Sequence, residues 1–170
     1  REAGLVRSKN VTNTLIIKVL LLLISGMAYF VSGYMISYSE GNSFLGLDLD
    51  YLAFLHLVDT KAAHWIFSFA LSAISASIVS GAMAERTEMK AFLIYSAVMS
   101  GFIFPVAVHW AWTEQGWLGA VGYQDFAGAG VVHLVGGVGA LVGAVTLGPR
   151  LGRFGHSSIK ELLPPGRGSA

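Results

Sequence analysis

Four runs of apolar residues, 14–36, 62–83, 91–112 and 126–147, divide the chain, with polar segments between them. Each is long enough to cross a hydrocarbon core of about 30 Å as a helix rising about 1.5 Å per residue. The first, TLIIKVLLLLISGMAYFVSGYMI, carries Lys18 near its start, and that long side chain is expected to snorkel back to the side of Arg7. The second, AAHWIFSFALSAISASIVSGAM, is rich in Ser and Ala, which suits close helix packing. The third, AFLIYSAVMSGFIFPVAVHWAW, contains Pro105, which predicts a kink and a freed carbonyl in need of another partner. The fourth follows Asp125 and holds one titratable group, His133. No internal repeat is visible within these spans.

The intervening segments read as loops and turns. Residues 37–61 form an acidic loop with Glu40, Asp48, Asp50, Asp59 and Lys61, its SEGNSFLGLD portion irregular or a short surface helix. Residues 84–90, AERTEMK, make a short turn in which Glu85 and Arg86 are expected to pair and cap helix ends. Residues 113–124, TEQGWLGAVGYQ, form a connection with aromatics at interface depth. The tail, 149–170, is polar and basic, with Pro164-Pro165 as a stop.

Composition turns this pattern into a class. Of 170 residues, 54% are hydrophobic and 12% charged, about half the charge of a soluble domain, and the mean hydropathy is +0.63. The chain is thus read as an all-α, polytopic membrane helix bundle. It has no cysteine, which rules out disulfides and Cys metal sites. It has neither HExxH nor a phosphate-cradling GxxxxGK, and no cofactor is implied. The basic tail is too short and too close to the membrane to argue for nucleic acid. A net charge of +1 conceals an asymmetry. Arg1, Arg7, Lys9, Arg86, Lys90, Arg150, Arg153, Lys160 and Arg167 fall on one side, and only Lys61 on the other. That bias predicts both chain ends in the cytoplasm. The start at Arg1 rather than methionine reads as a fragment.

His133 is the main candidate for chemistry. It is expected about two turns inside its helix and neutral, because a charged imidazole at that depth is costly. Its helical neighbours Ala129, Gly130, Gly136, Gly137 and Ala140 are all small. They either clear space for a small molecule or let another helix pack closely. Asp125 reads as an N-cap, or as a fixed negative charge that attracts cations. Trp112 reads as an interface anchor or as a π face offered to a small cation. Phe67 and Phe69 sit near one end of the second span as packing residues, and His109 reads as structural.

The strings GLVRSKNVTNTLI, IVSGAMAERTEMKAFLIYS, FPVAVHWAW and DFAGAGVVHLVGGVGALVGAVTLGPR, with GRF behind the last, together resemble the ammonium transporter family (Amt/Mep/Rh). The resemblance covers nearly the whole chain. It implies a bundle of eleven membrane helices, usually a homotrimer with one pore per subunit, built from two inverted five-helix halves. This chain would supply helices two to five, with helix one missing unless REAG is its trailing end. Residue by residue, the resemblance places Asp125 and Trp112 at an outer ammonium recruitment site and His133 as the first of two paired pore histidines. The first gate phenylalanine should fall at position 71, where this chain has Leu71; Phe67 stands one turn earlier. Implied partners are ammonium or ammonia, methylammonium as analogue, and the lipid bilayer of a plasma membrane. The implied activity is transport, in which recruited ammonium loses a proton and ammonia passes His133. An ammonium sensor on the same scaffold, favoured by Leu71, and a short form with an interfering role in a trimer are the rivals.

Overall fold

In an apolar surrounding a helix satisfies its backbone N–H and C=O groups within one segment, so uninterrupted apolar runs become helices. The computed structural model describes residues 2–54 and 61–150. Their architecture is an all-α bundle, and the one β pairing among them is an isolated bridge between Gly41 and Gly46. A short helix α1, Glu2–Leu5, precedes α2. Helix α2 covers 11–38 as Val11–Ala28, a π-helical turn Tyr29–Gly33, and Tyr34–Tyr38. Helix α3 is Ala62–Met83. Helix α4 covers 89–112 as Met89–Val98, a π turn Met99–Ile103, and Phe104–Trp112. After the short α5, Trp117–Ala120, helix α6 covers 129–147, opening with a π turn Ala129–Leu134 and continuing as Val135–Leu147.

Among the described residues, four segments are long and apolar enough to cross a membrane, as the hydrophobic runs predict. Four helix ends differ from the sequence reading, among them the start of α4, at Met89 rather than 91. Helix α2 extends past both ends of its apolar run, into residues 11–13 and out to Tyr38. Helix α6 begins at Ala129 rather than at 126, because the residues after Asp125 form a capping loop. Asp59 and the tail residues Arg153, Lys160, Pro164, Pro165 and Arg167 lie outside the described residues, as does Arg1.

Helix α2 lies against α3 and α4, and α6 runs along α3. The core is an aromatic cluster of Tyr29, Tyr34, Phe104, Val108, Val131 and Val132, followed toward the basic end by Leu21, Ala76, Val79 and Met99. The serines of the second run face inward: Ser68, Ser72, Ser75 and Ser80 are all buried. The π turns of α2 and α4 pack on each other. A Cβ on Gly33 would sit 2.7 Å from the Ser100 carbonyl oxygen, so only a glycine permits this approach. The distortion expected at Pro105 takes the form of the π turn before it. The carbonyl of Gly101, four residues earlier, accepts a hydrogen bond from Ser32 Oγ at 3.0 Å.

At the acidic end, His109 is fully buried. Its Nδ1 lies 3.2 Å from the Ser37 carbonyl oxygen and its Nε2 lies 2.9 Å from that of Asn42. A neutral ring donates through one nitrogen only, and both carbonyls belong to the backbone leaving α2. His109 therefore braces the 37–42 segment, and the structural reading stands. At the basic end the expected Glu85–Arg86 pair does not form. Glu85 Oε1 instead accepts from Arg7 N and Nε, both at 3.0 Å, and from Asn10 Nδ2 at 2.7 Å. Arg86 Nη1 donates to the Gly148 carbonyl at 2.9 Å. Glu85 has φ +60°, which turns its carboxylate toward the start of α2 and away from its neighbour. Burial pushes the Glu85 carboxyl upward, but Asn10 and Arg7 outweigh it and hold the group below its ordinary range.

Gly33→Ala is expected to destabilise the bundle by about 1–3 kcal/mol through overpacking of the two π turns. Gly4→Ala, where an added Cβ meets nothing within 4 Å, should change stability by less than about 0.5 kcal/mol. Melting temperatures in detergent check both.

Candidate functional site

The first turn of a helix leaves four N–H groups without intrahelical acceptors. In α6 a single carboxylate takes them. Asp125 Oδ1 accepts from Gly128 N and Ala129 N, both at 2.8 Å, while Oδ2 accepts from Gly130 N at 2.8 Å and Val131 N at 2.9 Å. Gly128, at φ +85°, turns the chain so that a residue four positions before the helix lies under its open end. A Cβ at Gly128 would also sit 2.7 Å from Val132 Cγ2. Burial raises the Asp125 carboxyl, and four backbone donors more than offset this and hold it below the usual carboxylate range. The capping reading of Asp125 is therefore the geometry found.

The same residue anchors Trp112. Trp112 Nε1 donates to the Asp125 carbonyl oxygen at 2.7 Å, which fixes the half-buried indole beside the start of α6. His133 joins through Gly128, whose carbonyl accepts from Val132 N at 3.0 Å and from His133 N at 3.1 Å. That oxygen also lies 3.3 Å from His133 Nδ1. A carbonyl only accepts, so this contact selects the tautomer with the proton on Nδ1 and leaves Nε2 as the acceptor. The His133 ring is exposed in this chain. It lies about one turn from the helix start rather than two, because α6 begins at Ala129.

The small residues around His133 divide between the two uses open to them. Gly136 packs directly on α3, where a Cβ would meet the Ser75 carbonyl oxygen and Ile78 Cβ, each at 3.0 Å. Gly137 faces open space, with nothing within 4 Å of an added Cβ. One side of the ring's turn is thus a helix contact and the adjoining side is free.

Among the remaining candidates, Leu71 is partly buried against the cluster that contains Val131 and Val132, one residue from His133. Trp112 packs on the same cluster. Phe67 is 60% exposed, on α3, and is not drawn into this group. Phe69 stacks on Trp65 at 5.5 Å, as a packing residue should. Sequence reading missed the Gly128 carbonyl, which orients His133. Its signal was a glycine five residues before the histidine, in a string with no other reason to need a positive φ. Among the described residues no group of His, Asp or Glu converges as a metal site.

Asp125→Ala should lower stability by about 1–2 kcal/mol through loss of the cap, and Asp125→Asn should also weaken it because an amide offers one acceptor oxygen for four donors. With its carboxyl depressed in the folded state, the stabilisation by Asp125 is present above its unfolded value and disappears as pH falls through the folded one. Melting temperature against pH should therefore fall on acidification in the wild type, and less steeply in Asp125→Asn.

The model of the Ammonium Transporter Family matches residues 1–164. Ammonium transporter 1 member 2 of Oryza sativa subsp. japonica is 39% identical over 172 residues, covering 95% of this chain and 35% of the relative. Ammonium transporter 1 member 1 of Arabidopsis thaliana is 39% identical over 163 residues, covering 89% and 32%. The solved structure of a "Sensor Amt Protein" matches with a TM-score of 0.83 at 30% identity, over 91% of this chain and 40% of that one. The chain spans about a third of the length of the curated relatives it matches. A match running from the first residue into the tail, on a bundle of the same shape, leaves no second assignment: this chain belongs to the ammonium transporter family.

Proposed function

We propose that this chain forms part of a path that carries ammonium and ammonia across a lipid bilayer, entering beside Trp112 and passing His133. The observation that carries the reading is the connected set Trp112–Asp125–Gly128–His133, in which the Asp125 backbone carbonyl holds the indole while its carboxylate caps the turn whose Gly128 carbonyl meets the imidazole. An ion at the centre of a bilayer costs about 3 kcal/mol even on lenient scales, roughly a hundredfold in population. Neutral ammonia avoids that penalty, so the proton has to leave before the apolar section. Trp112 offers a partly desolvated π face worth about 1–2 kcal/mol to a cation. Asp125 acts indirectly, because both of its carboxylate oxygens are already committed to backbone donors. Its part is to hold the indole and, through Gly128, the ring. The Nε2 lone pair of His133 accepts an N–H from ammonia, which carries three.

The working unit in this proposal is a homotrimer in a plasma membrane, with the basic end of each bundle in the cytoplasm. Methylammonium serves as the transported analogue. A second reading is an ammonium sensor, in which binding shifts a conformational equilibrium with little passage. It is favoured by the likeness to a solved sensor protein and by Leu71, which offers no π face at the expected gate.

His133→Ala and His133→Asp should abolish or alter methylammonium uptake while leaving the protein in the membrane at wild-type levels. Unchanged uptake kinetics in both would remove the ring from the path. Leu71→Phe should change the rate or selectivity of uptake. Binding of methylammonium without uptake in the wild type would select the sensor.

A further inference from the structure

Lys18 lies inside an apolar helix, seven residues from Val11 and so about 10 Å along the axis. The charge does not stand alone there. Its Nζ is 2.6 Å from Glu2 Oε1 and 2.8 Å from Ser77 Oγ, with Ser80 Oγ as a third close partner and the Ser77 carbonyl oxygen at 3.3 Å. A lysine ammonium has three N–H bonds, and three close oxygens receive them. The cage is also oriented. Ser80 Oγ gives its own proton to the Ser77 carbonyl at 2.8 Å, which turns its lone pairs toward the cation. The Glu2 carboxylate rests on Gly81, where a Cβ would sit 3.1 Å from Oε1. A cavity of about 350 Å³, lined in part by Asn10, Asn13, Thr14, Lys18 and Ser80, opens onto it.

We propose that Glu2, Ser77 and Ser80 form a second site for a small N–H-bearing cation, at the end of the bundle opposite Trp112, and that the chain fills this site with its own Lys18. The ligand class is ammonium or a primary alkylammonium. The oxygens that surround Lys18 Nζ are arranged for N–H donors, and a free ammonium ion would place its fourth N–H where the lysine carbon chain enters. Tethering decides occupancy. Even a flexible linker gives millimolar effective concentration, and the lysine stem is shorter and packed, so free ammonium at millimolar levels does not displace it. Lys18 thereby closes the basic end to ammonium that would otherwise rest there. The site does not depend on the transport reading.

The test is a melting curve of the protein in detergent. Lys18→Ala should melt lower than the wild type. Methylammonium chloride should then raise its melting temperature with concentration, by more than it raises that of the wild type, while tetramethylammonium chloride at equal ionic strength should not. The added rise should be lost in the double variant Lys18→Ala/Ser80→Ala. Absence of an added rise in Lys18→Ala, or its survival in the double variant, overturns the proposal. Should Lys18→Ala not fold, acylation by a water-soluble amine reagent, followed residue by residue, gives the second measurement. Lys18 should react more slowly than Lys9 in the wild type and faster than in the wild type when Ser80→Ala or Gly81→Ala loosens the cage. Equal reaction of Lys18 and Lys9 in the wild type overturns the proposal.

Discussion

Four backbone N–H groups at the start of α6 have no acceptor within the helix, and the two oxygens of Asp125 are what they bond to. The rest of the site is a consequence. To bring the carboxylate under the helix end, the chain has to turn through Gly128 with a positive φ. That turn leaves the Gly128 carbonyl directed along the helix, where it meets Val132 N, His133 N and His133 Nδ1. It also leaves the Asp125 carbonyl directed outward, where Trp112 donates to it. The indole and the imidazole are therefore placed by the same capping event, and a helix end that had to be satisfied in any case becomes the frame of the candidate path.

The same constraint governs the middle of the bundle. A π turn leaves backbone groups out of register, and proline removes a donor altogether. Both occur in α4, and the loose Gly101 carbonyl is taken by Ser32 of the neighbouring helix. Because the π turns of α2 and α4 lie against each other, their irregular carbonyls are shielded by protein rather than exposed to hydrocarbon. Glycine at position 33 is what lets them approach that closely. Irregular backbone at this depth persists because the two irregularities cover one another.

Most of the architecture was legible from the hydrophobic runs, since a long apolar segment has one stable form in a bilayer. The inward serines of α3 and the need for a partner at Pro105 were legible for the same reason. Helix ends were not. The start of α6 depended on how Asp125 and Gly128 share the turn, and the apolar run gave no sign of it. The Glu85–Arg86 pair failed because adjacency in sequence does not survive a turn with φ +60° at Glu85; partners came from Arg7 and Asn10, far away in the chain. At the candidate site, Asp125, Trp112 and His133 were singled out by residue type, and two of the three are directly bonded. What sequence could not weigh was the division of labour among the small residues. Gly136 and Gly137 read alike as letters, yet one packs against α3 and the other borders open space.

The two ends of the bundle would offer a cation different partners, and the difference lies in where carboxylate oxygens are left available. At the acidic end, Asp125 gives both oxygens to the backbone, so on the proposed path an ion would meet chiefly the soft face of an indole, an attraction small enough to release it again. At the basic end, Glu2 keeps an oxygen for an ammonium group, and two serines complete the shell. Hydrogen bonds to charged groups are the strong ones, worth about 1.5–3 kcal/mol each, and a shell of that strength facing a path would hold an ion rather than pass it on. A bundle that carries both arrangements avoids the conflict only if the stronger site is already filled by a group that cannot leave. Lys18 is such a group, since its charge satisfies the oxygens while its stem keeps it in the helix.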